Sequence, residues 1–532
     1  MKGSVINNDV QSKRTKDFAA VLASLLVYLI AGCLLIKYYR YQINPDGISY
    51  ISIAQKYMAG NFHDAVNGWW GPFISWLLIP FLYFTSDALL AGKVLSLLIG
   101  LVAIIALRIL SYKFEITESI RKVILIAAVP VVLSFAFSDI TPDLLLACML
   151  LFYLTVIFGA DYTARIGKGI LCGVLGGFVY LSKSFGFPFF VSHFFIMNVL
   201  WYFRSETRQA KKKVVCNFLA GAVVFALISG VWIGLLSNKY GQLTLGTTGK
   251  ASYRTKVVPG SQGLAILQQG FLEPSNETAM SAWEDPSYQE MQDSPSMEPW
   301  DFVRNQLSFT AGLIGKIAGF FMDVSVLSIG IAIAYVLFWL QRFNIKTMQA
   351  EVLFPTITIA IFAGGYSLIW VRERYLWSLF VLSMLMGGYV LGRLFENNFF
   401  TKTRKAVILI IFFLSFAIPA YQGLKSYANR GRWVHELSRV LERRVTKGSK
   451  IAANTNWAGS LFLSYHLDCK YYGTQEKNIS RTELKRQLEK YAIDYYLFWG
   501  GAAPDLRFLS NYEEITSGRI PGLRIYGLKK PR

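Results

Sequence analysis

The segment FAAVLASLLVYLIAGCLLI, residues 18–36, decides the class of this protein. It is a continuous apolar run of the length that a helix needs to cross the hydrocarbon core of a bilayer. The polar segment before it carries Lys2, Lys13, Arg14 and Lys16. Because basic residues stay on the cytoplasmic side, we expect an uncleaved first membrane span with the N-terminus in the cytoplasm.

The composition places the whole chain among polytopic membrane proteins. Of its 532 residues, 54% are apolar and 16% are charged. The formal net charge of +21 could indicate a nucleic-acid-binding protein, but the lysines and arginines lie in short loops between apolar runs and not on one face. Basic loops of this kind set membrane topology, so we predict no nucleic acid partner. The five cysteines contain no C-x-x-C pair and predict no disulfide framework.

About eleven apolar runs are predicted to cross the membrane. They are residues 18–36, 88–110, 123–137, 144–160, 169–182, 185–203, 214–236, 324–340, 353–370, 375–391 and 406–420. The run 71–84 is short and contains Pro72 and Pro80, so we predict a juxtamembrane or half-inserted helix there. If it crossed, the basic cluster within residues 204–213 would lie outside, against the positive-inside rule. Residues 302–321 are expected to form an amphipathic stretch.

This topology predicts two domains. Residues 1–420 form a transmembrane domain with two long outer loops, 37–87 and 237–306, and residues 421–532 form a small α/β domain outside the membrane. In the second domain the patterns alternate between helix and strand. The predicted helices are 432–445, 457–466 and 481–491, and the predicted strands are 450–454, 470–472, 494–499 and 523–527. There is no G-x-G-x-x-G after a strand and no P-loop, so no nucleotide site is predicted.

Ionisable and aromatic residues collect at the outer ends of the predicted spans. They are Asp46 and Tyr50 in the segment NPDGISY (44–50), Asp143 before the fourth span, Lys183 at the end of the fifth, and Arg372, Arg374 and Tyr375 at the start of the tenth. Ionisable groups at membrane depth are costly and commonly functional. Segments far apart in sequence therefore bring acids and bases to one side of the membrane, which indicates a functional site.

Each of these residues also has a simpler structural explanation. Residues 45–47 have the composition of a turn, and Asp143 follows Thr-Pro as a helix N-cap would. Lys183 could extend its ammonium to the membrane surface, and the two arginines could anchor the tenth span at the interface. Asp139 is predicted to be a solvated turn residue. The joint placement of the set, and no single member, favours the functional interpretation.

With these residues in place, the chain resembles the type C glycosyltransferases, membrane enzymes that use polyprenyl-phosphate-linked sugars. The resemblance rests on Asp46 in the first outer loop, Thr-Pro-Asp ending at Asp143, GGFVYLSKS over residues 176–184, and Arg-Tyr-Leu over residues 374–376. The protein O-mannosyltransferases of this family often have Asp-Glu in the first loop. The Asp46-Gly47 pair looks more like the oligosaccharyltransferase branch, whereas the lysine at the fifth span is similar to that of the lipid A aminoarabinose transferase.

The resemblance implies a fold, a reaction and a set of roles. It implies a multi-pass enzyme of the bacterial inner membrane, with the C-terminal domain periplasmic or extracellular. Lys183 would contact the donor phosphate, and Asp143 would orient the acceptor or share a divalent cation with Asp46. Polyprenyl phosphate leaves readily if cations hold its charge, so Lys183 and Arg372 or Arg374 could stabilise it, with Tyr50 and Tyr375 beside the substrates.

The acceptor hydroxyl or amine needs a general base, and Asp46 is the natural choice. A single displacement by this route inverts the anomeric centre. The expected partners are the lipid-linked donor, membrane lipid, and a lipid, glycan or protein acceptor. The second outer loop, with Trp283-Glu284-Asp285-Pro286, is expected to cover the site.

A lipid or polysaccharide transporter, or a flippase without transferase activity, is the alternative function. Transporters place their charges at mid-bilayer in interrupted helices and often contain an internal repeat. Here the charges lie at the outer ends of spans and no repeat is evident. This difference favours a reaction at the membrane surface.

Overall fold

The computed structural model describes residues 2–256, 270–288, 298–341, 348–500 and 507–528. The predicted outer loop 237–306 and the predicted domain 421–532 therefore lie partly outside the described residues. The helices are α1 (Lys2–Tyr39), α2 (Pro45–Met58), α3 (Phe62–Ala65), α4 (Phe73–Phe84), α5 (Ala88–Ser111), α6 (Glu118–Phe137), α7 (Asp143–Ile157), α8 (Gly167–Ser182), α9 (Gly186–Arg204), α10 (Arg208–Tyr240), α11 (Thr248–Lys256), α12 (Pro299–Val324), α13 (Ser328–Gln341), α14 (Ala350–Ser367), α15 (Trp377–Phe395), α16 (Lys402–Tyr427), α17 (Arg432–Leu441), α18 (Trp457–His466) and α19 (Arg481–Lys490).

The predicted fold class, a polytopic helical membrane protein with a small α/β domain, is confirmed. Within the described ranges nine helices are long and apolar enough to cross a bilayer, and α4, α7, α8 and α13 are shorter apolar helices. Each of the predicted crossings coincides with one of these helices. Helix α16 continues to Tyr427, past the predicted boundary at position 420.

Helix α12 is longer than the amphipathic stretch that the sequence predicts, and by length and composition it could cross a membrane. Its contacts, however, follow the connection between α14 and α15. The Gln306 amide donates to the Leu368 carbonyl at 3.0 Å, and the Lys316 ammonium lies 4.4 Å from the centre of the Trp370 ring. The far end, at Asp323, lines a cavity with Glu373. These contacts place α12 along the α14–α15 connection, and the helix also packs against α13, α14 and α16.

Local sequence sets several helix ends. The side chains of Asp87, Thr207 and Thr401 accept backbone N–H bonds as N-caps of α5, α10 and α16. Helix α10 ends at Gly241, whose φ of 68° suits a residue without a Cβ. These caps are local signals, so the helix ends that they set follow from the sequence nearby.

Glycines bring α8 close to α10. A Cβ on Gly169 would come within 2.1 Å of the Asn217 carbonyl oxygen, and one on Gly173 within 2.3 Å of the Gly221 carbonyl oxygen. Small residues allow such close backbone contact between membrane helices, where van der Waals packing holds helices together. This packing holds α8, the helix that Lys183 follows, against α10.

The loops gather at two opposite faces of the bundle. On one face the Asn429 amide, after α16, donates to the Tyr38 carbonyl near the end of α1 at 2.7 Å. On the other, Arg393 of α15 pairs with Glu115 between α5 and α6 at 3.2 Å. The C-terminal domain lies on the first of these, which we call the domain face.

The C-terminal domain is built on a six-stranded sheet in the order β1-β3-β2-β4-β6-β5. The strands are β1 (Gly270–Phe271), β2 (Lys450–Ala453), β3 (Lys470–Thr474), β4 (Tyr495–Trp499), β5 (Glu513–Glu514) and β6 (Leu523–Gly527). Strands β2, β3 and β4 are parallel, and β6 is antiparallel to β4. Helices α18 and α19 make the crossovers between the parallel strands, as such strands require. The four predicted strands and three predicted helices of this domain are all present.

Strand β1 comes from the second outer loop and was not predicted. It pairs antiparallel with β3, with Gly270 opposite Thr474 and Phe271 opposite Gly473. Two residues carry too little pattern to be recognised as a strand from sequence, and their partner lies about 200 positions away. Through β1 the outer loop and the C-terminal domain share one sheet.

Candidate active site

Arg374 forms the centre of a cluster of charged side chains on the domain face. Its Nη2 forms an ion pair with Asp46 Oδ2, and its Nη1 lies 3.1 Å from Asp139 Oδ2. Its Nε lies 3.3 Å from Asp143 Oδ2. The planar guanidinium has donors in several directions, so one arginine can contact three carboxylates. It thereby joins α2, the turn before α7 and the start of α15.

Lys183 lies beside this cluster. Its Nζ donates to Asp143 Oδ1 at 2.7 Å and is 3.2 Å from the centre of the Tyr375 ring, and Tyr366 packs against Tyr375 at 5.1 Å. The ammonium is therefore held by a carboxylate and by an aromatic face. The Lys183 side chain is 19% exposed whereas that of Asp143 is 2% exposed. The cation, and not the carboxylate, is the group that an incoming ligand can reach.

The segment 44–50 begins a helix and is not a turn. Pro45 occupies the first helical position of α2, where its missing N–H costs nothing, and Asp46 lies in the first turn, where the helix dipole favours a carboxylate. The Asn44 side-chain oxygen accepts from the Ile140 backbone N–H at 3.0 Å. A Cβ on Gly47 would lie 2.6 Å from that same oxygen. Glycine here lets the start of α2 lie against the turn that precedes α7.

Asp143 does more than begin a helix. It is the first residue of α7, whose N-cap is Pro142, and no side chain caps this end. Its two carboxylate oxygens instead face Lys183 and Arg374. The turn before α7 also differs from expectation, because the prediction that Asp139 is a solvated turn residue is wrong. The fold lays this turn against the start of α15, so Asp139 pairs with Arg374.

Tyr50 lies behind the carboxylates. It is buried, and its ring meets that of Trp70 edge-on at 5.3 Å. Burial, with the charges of Asp46 and Asp143 adding to it, raises the pKa of the Tyr50 phenol well above its usual range. The phenol therefore stays protonated and can donate a hydrogen bond but not act as a base.

Of the remaining predicted residues, Tyr375 joins the cluster and Arg372 does not. Arg372 is exposed at the start of the turn that carries Arg374, outside the ion pairs described above. The two arginines are two positions apart, and the turn between them points only one into the bundle. Sequence spacing alone does not tell which.

Trp283 reaches the cluster from the second outer loop. Its Nε1 donates to Asp46 Oδ1 at 3.3 Å. Its ring lies 6.4, 6.1 and 5.7 Å from those of Trp69, Trp70 and Trp457. The sequence placed Trp283 in a covering loop but gave no sign that it would contact Asp46.

The loop that carries Trp283 is locked onto the first outer loop. Glu284 forms a buried ion pair with Lys56 of α2, and its backbone carbonyl accepts from the Asn67 amide at 2.7 Å. Asp285 accepts from the Tyr240 hydroxyl at 2.8 Å and lies 3.6 Å from Lys239. Residues 270–288 are thus held over the site by buried polar contacts on both sides of Trp283.

Lys93 is a buried cation that the list of predicted site residues lacks. Its Nζ donates to Gln42 Oε1 at 3.1 Å and to the carbonyls of Phe137 and Ser138 at 3.4 and 2.5 Å. These carbonyls end α6, where a cation complements the helix dipole. The sequence signal was a single lysine inside the apolar run 88–110. Its bonds fix the residues immediately before Asp139.

Asp46 and Asp143, the predicted metal ligands, do not fit a divalent ion in this arrangement. Carboxylate oxygens are suitable ligands for such ions. Both carboxylates, however, contact the same guanidinium, so a cation of the protein already stands between them. In the part of the chain that the structure describes, no three His, Cys, Asp or Glu side chains form a group that could hold a metal.

Solved structures with a similar fold were found, although no family model and no curated protein matched the chain. ArnT from Cupriavidus metallidurans in the apo state superposes with a TM-score of 0.58 at 13% identity, over 98% of this chain and 100% of that one. The same protein bound to undecaprenyl phosphate gives 0.56 at 12%, over 96% and 99%. The Archaeoglobus fulgidus oligosaccharyltransferase in the apo form gives 0.54 at 13%, over 90% and 69%.

At sequence identities this low, the similarity to these solved structures establishes the fold of the chain. The chain is an integral, multi-pass membrane protein with the type C glycosyltransferase fold, and the resemblance seen in its sequence is confirmed at that level. A further Archaeoglobus fulgidus structure is a complex with zinc and sulfate (TM-score 0.53, 11% identity). The metal in that complex belongs to that protein.

Proposed function

We propose that this protein transfers a sugar from a polyprenyl-phosphate-linked donor to a hydroxyl or amine of an acceptor, with inversion at the anomeric carbon. The reaction would take place at the extracytoplasmic face of a bacterial inner membrane, which we assign to the domain face. One observation carries the proposal. Asp46, Asp143, Lys183 and Arg374, from four distant segments, meet in one ion-pair cluster at the ends of the membrane helices.

Two solved structures of this fold support the class of donor. ArnT was solved with undecaprenyl phosphate, and AglB from Archaeoglobus fulgidus with an inhibitory peptide and a dolichol-phosphate (TM-score 0.53, 11% identity). Both ligands are polyprenyl phosphates. A donor of this kind lies in the bilayer with its phosphate at the surface, which is the level of Lys183.

Lys183 is the group that we assign to the donor phosphate. Its ammonium is the accessible cation beside the cluster, and the Tyr375 ring and the Asp143 carboxylate orient it. A phosphate bound there would gain a charge-assisted hydrogen bond. As the bond between the anomeric carbon and the phosphate oxygen breaks, the electron pair leaves with the phosphate, and the cation stabilises that charge.

Asp46 is the group that we assign as general base. Arg374 and the Trp283 indole hold its carboxylate in place, and the side chain is 14% exposed. The acceptor oxygen or nitrogen attacks the anomeric carbon from the face opposite the phosphate, and its proton passes to Asp46. Asp143 is almost fully buried, so we assign to it the positioning of Lys183 and Arg374.

Asp46→Asn and Lys183→Ala test these two assignments. The purified protein is incubated with radiolabelled polyprenyl-phosphate sugars and cell envelope fractions, and transfer and donor binding are measured separately. We expect Asp46→Asn to lower transfer by about 100-fold or more with donor binding retained, because a general base contributes about that much. Lys183→Ala should weaken donor binding about tenfold or more, since it removes a charge-assisted bond.

Asp64→Asn serves as a matched control, because Asp64 lies in the same outer loop but bonds Thr278 and not the cluster. It should leave transfer and donor binding unchanged. Normal transfer by Asp46→Asn would show that another group is the base, and unchanged donor affinity in Lys183→Ala would remove its phosphate role. Lipid movement across vesicles without any transfer would favour the flippase. The same assay should run equally fast with EDTA, since Arg374 stands where a metal would bind.

A further inference from the structure

A cavity of about 220 Å³ reaches Asp139 and Arg374 of the charged cluster, and Lys183 is not part of its lining. It lies between α6, α12, the turn at Arg374 and α16. Apolar side chains from α6, α12, α15 and α16 form its walls, among them Val131, Phe135, Val324, Trp377 and Phe416. We call it the α6–α16 cavity.

The α6–α16 cavity extends into the depth of the bundle. On α6 its lining runs from Val131 to Ser138, and on α16 from Phe416 to Tyr427. At about 1.5 Å per residue these lengths correspond to roughly 10–16 Å along the helix axes. It is smaller than most pockets for whole ligands, which are about 300–1,000 Å³. It therefore has room for a head group and the first carbons of a chain.

The polar lining of the cavity is mainly acidic. Asp139, Asp323 and Glu373 face it together with one cation, Arg374. Three carboxylates against one guanidinium make an anionic ligand unfavourable there. Lys183, the cation assigned to the donor phosphate, does not line it. The lining of the cavity is therefore acidic on balance, and the cation that suits a phosphate, Lys183, lies outside it.

The end of the cavity at the domain face, where Arg374 and Asp139 lie, is close to the proposed reaction centre. Arg374 lines the cavity and also pairs with Asp46, the proposed base. Asp46 does not itself line the cavity, so a group bound at this end would be separated from the proposed base by the Arg374 guanidinium alone. The donor phosphate would bind at Lys183, outside the cavity, and the acceptor would attack the anomeric carbon from the face opposite that phosphate, as an in-line displacement requires.

We propose that the α6–α16 cavity binds the acceptor, and that the acceptor is an amphiphile with an amine or hydroxyl head and not an anionic one. An amine binds as the ammonium, gives one proton to a carboxylate of the lining before it attacks, and gives a second to Asp46 as the bond to the anomeric carbon forms. This inference rests on the proposed function for its role in transfer, but the binding itself can be measured without turnover. The acidic lining selects the head group, and the apolar walls hold the first carbons of the chain.

Photo-crosslinking tests the inference on the full-length protein. Three dodecyl probes bearing a diazirine on the chain, an amine, an alcohol and a phosphate, are crosslinked to the protein in phosphatidylcholine nanodiscs, and the labelled peptides are mapped by mass spectrometry. We expect the amine to label peptides of α6 and α16 most strongly, the alcohol less, and the phosphate least. Equal or stronger labelling by the phosphate, or no labelling there by any probe, would overturn the proposal.

Two variants test whether the labelling depends on the charge of the cavity and on the space within it. The double substitution Asp323→Asn, Glu373→Gln should lower amine labelling about threefold to tenfold, since exposed charges contribute modestly, and leave alcohol labelling unchanged. Gly423→Leu should abolish labelling by all probes, because Gly423 lines the cavity and a Cβ there meets no neighbour within 4 Å. Labelling that survives Gly423→Leu would place the probes elsewhere.

Asp301→Asn is the control, since Asp301 is an exposed carboxylate at the other end of α12. It should not change amine labelling. The failure of this inference and that of the proposed function are distinguishable. Loss of the expected labelling pattern with normal sugar transfer rejects the acceptor cavity alone, and labelling as expected without any transfer rejects the enzyme assignment alone.

Discussion

Arg374 illustrates how one side chain can organise a site. An arginine at a membrane surface is commonly an anchor, and the sequence allowed that explanation. Its side chain is instead 13% exposed and contacts carboxylates of α2 and of the turn before α7. Removing one partner of a buried ion pair is strongly destabilising, so each of these contacts depends on the others. Arg374 therefore has a structural role in addition to any part it takes in the proposed chemistry.

We expect Lys93 to position the residues immediately before Asp139, and Lys93→Met tests this expectation. Methionine keeps the length and apolar stem of the side chain but cannot donate to Gln42 Oε1 or to the carbonyls that end α6. Losing a bond to a buried acceptor costs about 1–3 kcal/mol. We expect kcat for sugar transfer to fall about tenfold or more, as a small displacement of reacting groups can cost that much, with donor affinity nearly unchanged.

The matched control for Lys93→Met is Lys402→Met, an exposed lysine on the face away from the site. It should behave as the native protein in both kcat and donor binding. If total activity falls only as much as the amount of folded protein falls, so that kcat per folded molecule is normal, Lys93 acts only in stability. The kcat measurement per folded molecule separates the two roles.

At the scale of elements, the segment 270–288 joins parts of the protein that are distant in sequence. Its first residues form β1 on the C-terminal sheet, and its last hold Trp283 over Asp46. Between them, the Met280 amide donates to Glu284 Oε2 at 3.2 Å, which shapes the bend that presents the indole. The segment is thus a cover whose position depends on two anchors.

Glu284→Gln should loosen this cover. The side chains of Lys56 and Glu284 are 4% and 3% exposed, so removing the carboxylate leaves a buried ammonium without its counter-ion. Breaking a buried pair in this way costs about 3–5 kcal/mol. We expect a lower unfolding temperature and faster proteolytic cleavage within residues 270–288.

Two further variants make this test specific. Glu277→Gln, at an exposed position of the same segment, should change neither the unfolding temperature nor the cleavage rate. The double variant Lys56→Gln, Glu284→Gln should recover part of the loss, because no unpaired charge remains. Cleavage of Glu284→Gln at the native rate would show that the segment is held without the Lys56–Glu284 ion pair.

At the scale of the whole molecule, the C-terminal domain is docked to the membrane part through rings near the end of α1. The Tyr41 ring stacks on His435 of α17 at 4.5 Å, and His435 meets His466 of α18 at 5.2 Å. The pKa of His466 is lowered to about 4, mainly by burial and in smaller part by the nearby His435, while Asp87 acts in the opposite direction. His466 is therefore neutral in the folded protein at pH values where a free histidine takes up a proton.

This shift predicts an acid-dependent loss of stability. The unfolded chain binds a proton at His466 below about pH 6.5, whereas the folded chain does so only near pH 4. Because the unfolded state binds more protons in this window, stability falls as the pH is lowered through it. Between pH 6.5 and 5 the contribution is up to about 2 kcal/mol. We expect the unfolding midpoint, followed by tryptophan fluorescence, to fall over this range.

His466→Gln should reduce that dependence, and His63→Gln should not, because the His63 side chain is 76% exposed. An equal slope in the native protein and in His466→Gln would assign the acid sensitivity to other groups.

Sequence by itself determined the class of the protein, the order of its membrane helices, the α/β pattern of its last domain and the placement of Asp46, Asp143 and Lys183 at helix ends. These features are local, since an apolar run, a cap or an alternating pattern lies within one continuous stretch of the chain. Tertiary structure decided which of Arg372 and Arg374 enters the cluster and that Trp283 contacts Asp46. It also decided that Lys93 bonds the carbonyls at the end of α6, and that β1 joins the sheet of the C-terminal domain. Arg374 lies 328 positions from Asp46, and at such separations a pairing forms only when the packing of the helices brings the two residues together.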